Sequence, residues 1–202
     1  GLNASGRAPQ SWTPEYFQRK YGASNSPPKR GMDSVSVPGA VSAWVALSQR
    51  YGKLPFADLL EPAIDIAERG YLLPPVVQQK WAAATPELQG QPGFAQSFLP
   101  WGRAPHVGEL FQFKAAARGL RAIAQSNGAA FYGGEMAHAL EKFSVAHGGS
   151  LTAADLAAYQ PEWVTPIGKN YRGHTLHEIG PNGQGIAGLI ALGLLEKFDL
   201  GA

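Results

Sequence analysis

A chain of 202 residues, 45% hydrophobic and 16% charged, has the length to bury a real core and is too apolar to stay disordered. Its net charge of +2 comes from scattered residues, with Arg19-Lys20 and Lys29-Arg30 the only adjacent basic pairs, so no stripe exists that would displace counterions from nucleic acid. The absence of cysteine excludes disulfides and thiolate metal sites, and no apolar run approaches membrane-spanning length, the longest candidate being 186–195.

The opening Gly1-Leu2-Asn3-Ala4-Ser5-Gly6 reads as no signal peptide, and the compartment stays open between cytoplasm and periplasm. Residues 22–33 are polar and turn-rich, which predicts a flexible surface loop. Val35 to Val37 reads as a strand end. Pro38 then suits the first turn of a helix, because its missing N–H is not needed there. Val41, Trp44, Val45 and Ser48 mark the face of that helix, and Gly52 ends it.

Phe56, Leu59, Leu60, Ala63, Ile64 and Ala67 keep helical spacing, but Pro62 falls inside the run. A proline there removes a backbone bond and clashes with the preceding turn. Two helices are therefore predicted, over 55–60 and 62–69, with Gly70 as the C-terminal cap. A further helix is predicted over 74–84 after a Pro-Pro start, and irregular chain from Thr85 to Gly108.

Phe113, Ala116, Ala117, Leu120, Ile123 and Ala124 form one face of the next predicted helix, with Lys114, Arg118 and Arg121 on its wet side. Met136, Ala139, Leu140 and Phe143 mark another, closed by Gly148-Gly149. Thr152 and Asp155 have capping-box spacing, and Leu151 and Leu156 are placed to staple across that entry. Alternation in 163–167 and 174–179 around Tyr171-Arg172-Gly173 predicts a hairpin. Residues 184–198 are apolar most of the way round, which predicts a buried helix. The fold class is thus mainly α with a few short strands (α+β): seven or so helices around one apolar centre, with a small hairpin.

Residues 34–71 run strand, Val-Pro-Gly turn, helix, Gly-Lys-Leu-Pro break and helix. That order resembles a segment of the large subunit of the γ-glutamyltransferase family, the glutathione hydrolases and related acylases. The resemblance continues through Phe131-Tyr132-Gly133-Gly134-Glu135, Gly148-Gly149-Ser150-Leu151-Thr152, Tyr171-Arg172-Gly173 and Pro181-Asn182-Gly183-Gln184-Gly185. It spans nearly the whole chain in the family's order.

The resemblance implies an enzyme of N-terminal-nucleophile type with a layered α/β/β/α structure, to which residues 1–202 contribute a single helical lobe. It implies a precursor that cleaves itself at a threonine, whose new N-terminal amine serves as the base for the attacking hydroxyl. Thr13, Thr85, Thr152, Thr165 and Thr175 are the threonines present, and none stands in a cleavage context. The nucleophile is therefore expected outside this chain, which alone is expected to be inactive. The implied partners are the remainder of its own precursor and a small-molecule γ-glutamyl or acyl-amide substrate. No cofactor and no metal are implied.

Family members acting on glutathione carry an Arg-Glu-x-Ala-Pro motif whose arginine holds the glutamyl α-carboxylate, a task suited to the guanidinium fork. Alignment on Ala8-Pro9 puts Ser5 at that position, and Arg7 lies two residues on. The chain resembles a branch with Ser-Gly-Arg-Ala-Pro. Arg7 is the candidate substrate-binding residue; the other reading of it is a turn arginine that holds carbonyls or packs on Trp12. The glycine-rich start at 180–185 suits either a carboxylate-binding helix N-terminus or a tight turn for close helix packing. His174 and His177, three apart on a strand, point to opposite faces and make no metal pair. Glu61 and Asp65 suit a solvated helix surface. A cephalosporin-acylase-like amidase, or a non-catalytic helical docking module, are the alternatives to γ-glutamyl transfer. As an isolated lobe, the chain is expected to self-associate.

Overall fold

The computed structural model describes residues 1–22 and 28–199; the greater part of the predicted loop's first half, residues 23–27, lies outside the described residues. From Pro28 the chain turns through Gly31 (φ 103) into a 3-10 turn over Met32–Ser34.

Helix α1, Pro14–Tyr21, is an element the periodicity did not predict, although its start carries every usual signal. Thr13 Oγ1 accepts the Tyr16 N–H at 3.2 Å, Pro14 opens the helix, and Arg19 and Lys20 sit in its last turn. Lacking a buried residue, α1 is held instead by the buried carboxylate of Asp33. Tyr16 Oη and Tyr21 Oη donate to it at 2.9 and 2.6 Å, and Lys20 Nζ lies 2.5 Å away.

Val35–Val37 is extended but forms no strand. The Val37 N–H donates to the Arg7 carbonyl at 3.0 Å, and the Val35 N–H turns back to the Met32 carbonyl at 3.2 Å. Helix α2, Ala40–Tyr51, follows and ends at Gly52 as predicted, but Gly39 is its N-cap and Pro38 precedes it rather than opening its first turn; its Val41 is buried while Trp44 is exposed.

Helix α3, Phe56–Arg69, is continuous, which corrects the predicted break at Pro62. Both Pro62 and Asp58, whose carbonyl loses its donor to the proline, are on the solvent side, so water can reach the freed group. The opposite stripe, Leu60, Ile64 and Ala67, packs on Ala117, Leu120 and Ala124 of α6, Lys114–Gln125. That packing fixes the helix across the proline.

Helix α4, Pro75–Leu88, runs four residues past its predicted end, and α5, Phe94–Phe98, lies inside the stretch read as irregular. Aromatic packing supplies what the pattern concealed: Trp81 meets Phe98 and Phe111 edge-on at 5.8 and 4.7 Å. Strands β2, Tyr71–Leu72, and β3, Leu110–Phe111, pair antiparallel beneath that cluster.

Asn127 and Gly128, with φ of 48 and 84, turn the chain from α6 into α7, Ala129–Gly133. Helix α8, Glu135–Ala146, presents Ala137, Leu140 and Ser144 inward, so the buried stripe is turned from the predicted one; Ala139 and Phe143 are exposed. The capping box forms at α9, Ala153–Ala157: the Thr152 side chain accepts the Asp155 N–H at 3.1 Å and Asp155 Oδ2 accepts the Thr152 N–H at 2.9 Å. Leu151 and Leu156 are both fully buried beside it.

Strands β5, Ile167–Tyr171, and β6, His174–Glu178, form the expected hairpin, its turn made by Arg172 and Gly173 at φ 50 and 83. Trp163 belongs elsewhere, in β4, Glu162–Trp163, which pairs antiparallel with β1, Leu2–Asn3. The last helix, α10, Gly185–Leu195, buries only Leu189. Ile186, Ile190, Leu194 and the following Phe198 are exposed, which corrects the expectation of a buried helix. Among the described residues the buried apolar side chains do not form one centre but separate clusters, one around Val37, Ala137, Leu151, Leu156 and Tyr159 and another at the α3–α6 seam, with Phe111 buried in the aromatic group around Trp81.

Candidate functional site

Two residues hold the segment 4–7 against the first core. Val37 binds the Arg7 carbonyl, and Gly6 lies so close to the Val37 carbonyl that a side chain there would collide with it. Gly39 is pressed in the same way between the Ala4 carbonyl and the Tyr159 ring. Tyr159 Oη donates to the Ser5 carbonyl at 3.2 Å and its ring stacks on Tyr132 at 6.0 Å. Tyr132 Oη in turn donates to the Pro38 carbonyl at 2.7 Å and accepts the Ser42 N–H at 3.1 Å. The Val-Pro-Gly turn and the Phe-Tyr-Gly-Gly motif are thus two ends of one brace under residues 4–7.

Above this brace opens a polar cavity of about 390 Å³ lined by Asn3, Ser5, Arg7, Tyr159, Glu162 and Asn182, among others. A neighbouring cavity of about 360 Å³ shares Asn3, Ser5 and Asn182 and continues along Glu178 and 180–185 to the start of α10. The fold therefore brings together the two features singled out in sequence, Arg7 and the glycine-rich helix start.

Arg7 is exposed, and its Nη2 forms an ion pair with Glu162 Oε1; Trp12 packs on Phe17, 5.4 Å away, rather than on Arg7. Glu162 is fixed in β4 directly opposite Asn3 of β1, while the adjacent Trp163 carries the Arg50 guanidinium 4.1 Å from its ring centre. Sequence spacing gave no hint of Glu162, which lies 155 residues from Arg7. At the start of α10 the space beside Gly185 is filled by the Glu178 carboxylate, and a side chain at Gly185 would strike it. An acidic group at a helix N-terminus is favourable, so the chain supplies its own carboxylate there. Tyr159 has its hydroxyl pushed up by burial and by neighbouring Tyr132, against smaller opposing effects from Ser42 and then Arg7.

Four of the five threonine hydroxyls are drawn into structure: Thr13 and Thr152 cap helices, Thr85 Oγ1 donates to the Trp81 carbonyl at 2.9 Å, and Thr175 Oγ1 accepts from Asn170 at 3.4 Å. Asp65 pairs with Arg69 at 2.6 Å on the solvated side of α3, and His174 and His177 are exposed on β6. Among the described residues no group of three His, Asp or Glu side chains is placed to hold a metal ion, and no helix is long and apolar enough to cross a membrane.

A family profile described as Gamma-glutamyltranspeptidase matches residues 1–202. The chain is 35% identical over 198 residues to the glutathione hydrolase-like YwrD proenzyme of Bacillus subtilis, covering 98% of this chain and 37% of that protein. It is 35% identical over 175 residues to the acylase ACY 1 proenzyme of a Pseudomonas species, covering 85% of this chain and 31% of that protein. Among solved structures, cephalosporin acylase from Bacillus halodurans superposes with a TM-score of 0.93 at 46% identity, covering 98% of this chain and 38% of that one. Helicobacter pylori γ-glutamyltranspeptidase superposes with a TM-score of 0.91 at 29% identity, covering 99% of this chain and 58% of that one. The chain thus spans 37% and 31% of the length of the first two relatives.

Proposed function

Because this chain belongs to the γ-glutamyltranspeptidase family, we propose that residues 1–202 are a helical lobe of the large subunit of an enzyme that hydrolyses or transfers γ-glutamyl amide groups. The attacking hydroxyl is an N-terminal threonine supplied by the remainder of the same precursor. The threonine hydroxyls at 13, 85, 152 and 175 are already bonded within the chain, which supports this division of labour. The observation that carries the reading is the placement of Arg7 at the mouth of a polar cavity braced from beneath by Tyr159 and Val37. Arg7 holds the acyl donor's carboxylate there, with the amide side chains of Asn3 and Asn182 beside it.

A second reading keeps the nucleophile and changes the acyl group, as in a cephalosporin-acylase-type amidase. Ser5 at the expected arginine position and the ion pair already formed by Arg7 favour it. Hydrolysis of γ-glutamyl-p-nitroanilide by the full, self-cleaved protein separates the two. Release of p-nitroaniline, lost in Arg7→Gln, is the expected result. No release from the processed protein would overturn the γ-glutamyl reading and leave another acyl group. Release by residues 1–202 alone would overturn the assignment of the nucleophile to another part of the precursor.

A further inference from the structure

The indole Nε1–H of Trp81 is buried and has no acceptor among the described residues. A buried donor left unpaired is costly, so its surroundings call for an explanation. The same residue walls a cavity of about 380 Å³ together with Tyr71, Phe98, Phe111 and Phe113, the rest of the wall being aliphatic side chains of α3. Besides the Trp81 contacts already described, Phe98 meets Phe113 edge-on at 5.2 Å and Tyr71 meets Phe111 edge-on at 6.2 Å. Backbone holds these rings apart: the β2–β3 pairing sets Tyr71 opposite Phe111, and the Phe113 N–H donates to the Ala67 carbonyl of α3 at 2.8 Å. Among the described residues that line the cavity none is charged, and none is shared with the two cavities beside Arg7 and α10.

We propose that this cavity is a second small-molecule site, which takes an uncharged aromatic compound whose carbonyl oxygen accepts the Trp81 indole N–H. Each part of that description follows from the walls. Five aromatic residues favour a further ring, because rings attract one another edge-on or offset. A carboxylate or an ammonium would leave water here without meeting a counter-charge, which excludes charged guests. A pure hydrocarbon would fill the space and leave the indole donor unpaired, whereas a carbonyl oxygen satisfies it. The volume lies at the lower end of small-ligand pockets and suits one substituted ring. The inference goes beyond the amide-transfer reading and does not depend on it.

The test uses the full, processed protein with three probes: acetophenone, ethylbenzene, which has a methylene in place of the carbonyl, and benzoate, which adds a charge. Calorimetry gives the affinities. The indole N–H signal of Trp81 in the 15N-labelled protein, identified by its absence from Trp81→Phe, reports where the probe sits. Acetophenone is expected to bind saturably, to shift that signal, and to bind about fivefold tighter than ethylbenzene, as one added hydrogen bond to a buried donor requires. Benzoate is expected to leave the signal in place. Trp81→Phe keeps a ring and loses the donor, so both neutral probes should then bind within about twofold of one another. Ala63→Phe narrows the cavity from the exposed side of α3 and should abolish the acetophenone shift while the indole remains.

No saturable shift of the Trp81 signal by acetophenone would overturn the proposal, and would mean that the remainder of the precursor fills or closes the cavity. Equal binding of acetophenone and ethylbenzene by the unaltered protein, or of acetophenone and benzoate, would overturn the chemistry assigned to the guest. A preference for acetophenone that survives in folded Trp81→Phe would overturn the role of the indole. Should Trp81→Phe fail to fold, the comparison of the three probes on the unaltered protein, with Ala63→Phe as the blocked control, still decides the matter.

Discussion

Gln10 and Asp155, 145 residues apart, are joined by a hydrogen bond of 2.9 Å from the Gln10 N–H to Asp155 Oδ1. The other carboxylate oxygen accepts both the N–H and the hydroxyl of Thr152, at 2.9 and 2.7 Å. One side chain therefore closes the capping box of α9 and ties the segment after Arg7 to that helix. Asp155→Ala removes all three bonds and is expected to cost about 2 kcal/mol, above the ordinary price of a lost cap because a charged acceptor is involved. Urea denaturation of the full protein reads this as a lower midpoint with an unchanged slope. A loss indistinguishable from zero would mean that the three bonds are replaced by water without cost.

Thr152 itself provides a sharper check on where the chemistry lies. Its Oγ1 accepts the Asp155 N–H at 3.1 Å and donates to the same carboxylate, so it is occupied as a cap. Thr152→Ser keeps the cap and should leave both stability and turnover of the processed protein unchanged. Thr152→Ala should lower stability by about 1 kcal/mol and leave kcat intact at a temperature where the protein stays folded. Loss of kcat in folded Thr152→Ala, with kcat kept in Thr152→Ser, would place a reactive hydroxyl in this chain.

Local signals with a fixed geometry were readable from the residues alone. The Thr152–Asp155 box, the Gly52 and Gly70 helix ends and the Tyr-Arg-Gly hairpin turn each depend on a few neighbouring residues, and each stands where its chemistry put it. Where tertiary packing outweighs local preference, the pattern misled. Pro62 does not break α3 because the Leu60–Ile64–Ala67 stripe is clamped on α6, and α10 is apolar on all sides yet exposed because apolarity shows what a helix avoids, not what covers it. In the candidate site, Arg7 and the 180–185 turn were visible as motifs. Their meeting with Glu162 was not, since a two-residue strand pairing across the length of the chain leaves no periodic trace.

Acid should weaken the fold through Asp33 and Asp155. Burial pushes each carboxyl up, but hydrogen bonds from Lys20, Tyr21 and Tyr16 to Asp33, and from Gln10 and Thr152 to Asp155, outweigh it and hold both below the ordinary aspartate value of 3.8. The unfolded chain therefore takes up protons first as pH falls. The stabilisation is fully present above 3.8 and is lost as pH drops through the lower folded values. Lys20 works in the opposite sense. Burial lowers it, but the bonds and charge of Asp33 and Tyr16 raise it above its ordinary 10.5, so its contribution persists until strongly alkaline pH. Urea midpoints should be flat near neutrality and fall on acidification below about pH 4. The Asp33→Asn and Asp155→Asn pair should flatten that fall while lowering the midpoint at neutral pH; an unchanged acid slope in the double variant would refute the assignment.

Pro62 offers a test of the packing argument. In an exposed helix interior, proline is about 3 kcal/mol less favourable than alanine, and Pro62→Ala returns a donor to the Asp58 carbonyl. Part of the gain is cancelled because alanine leaves the unfolded chain freer. The net expectation is a stabilisation of about 1–2 kcal/mol, read by thermal or urea unfolding, with no change in the α3–α6 seam. A destabilised variant would show that the proline shapes α3 for a contact outside the residues described.

Ile186, Ile190, Leu194 and Phe198 recur every four residues, with exposures of 45, 56, 61 and 63%. A contiguous apolar stripe of this kind seldom stays wet in a soluble protein, and on the proposed reading the remainder of the precursor covers it. Residues 1–202 produced alone should therefore self-associate, with an apparent mass in light scattering that rises with concentration. Replacing Ile190 and Leu194 together by glutamate should restore a monomer at little cost to the fold, because both side chains are exposed and only Leu189 of α10 is buried. The same double change in the full precursor should impair assembly and self-cleavage. A wild-type chain that remains monomeric at high concentration would show that the stripe needs no cover, and full maturation of the double variant would show that the rest of the precursor does not lie on it.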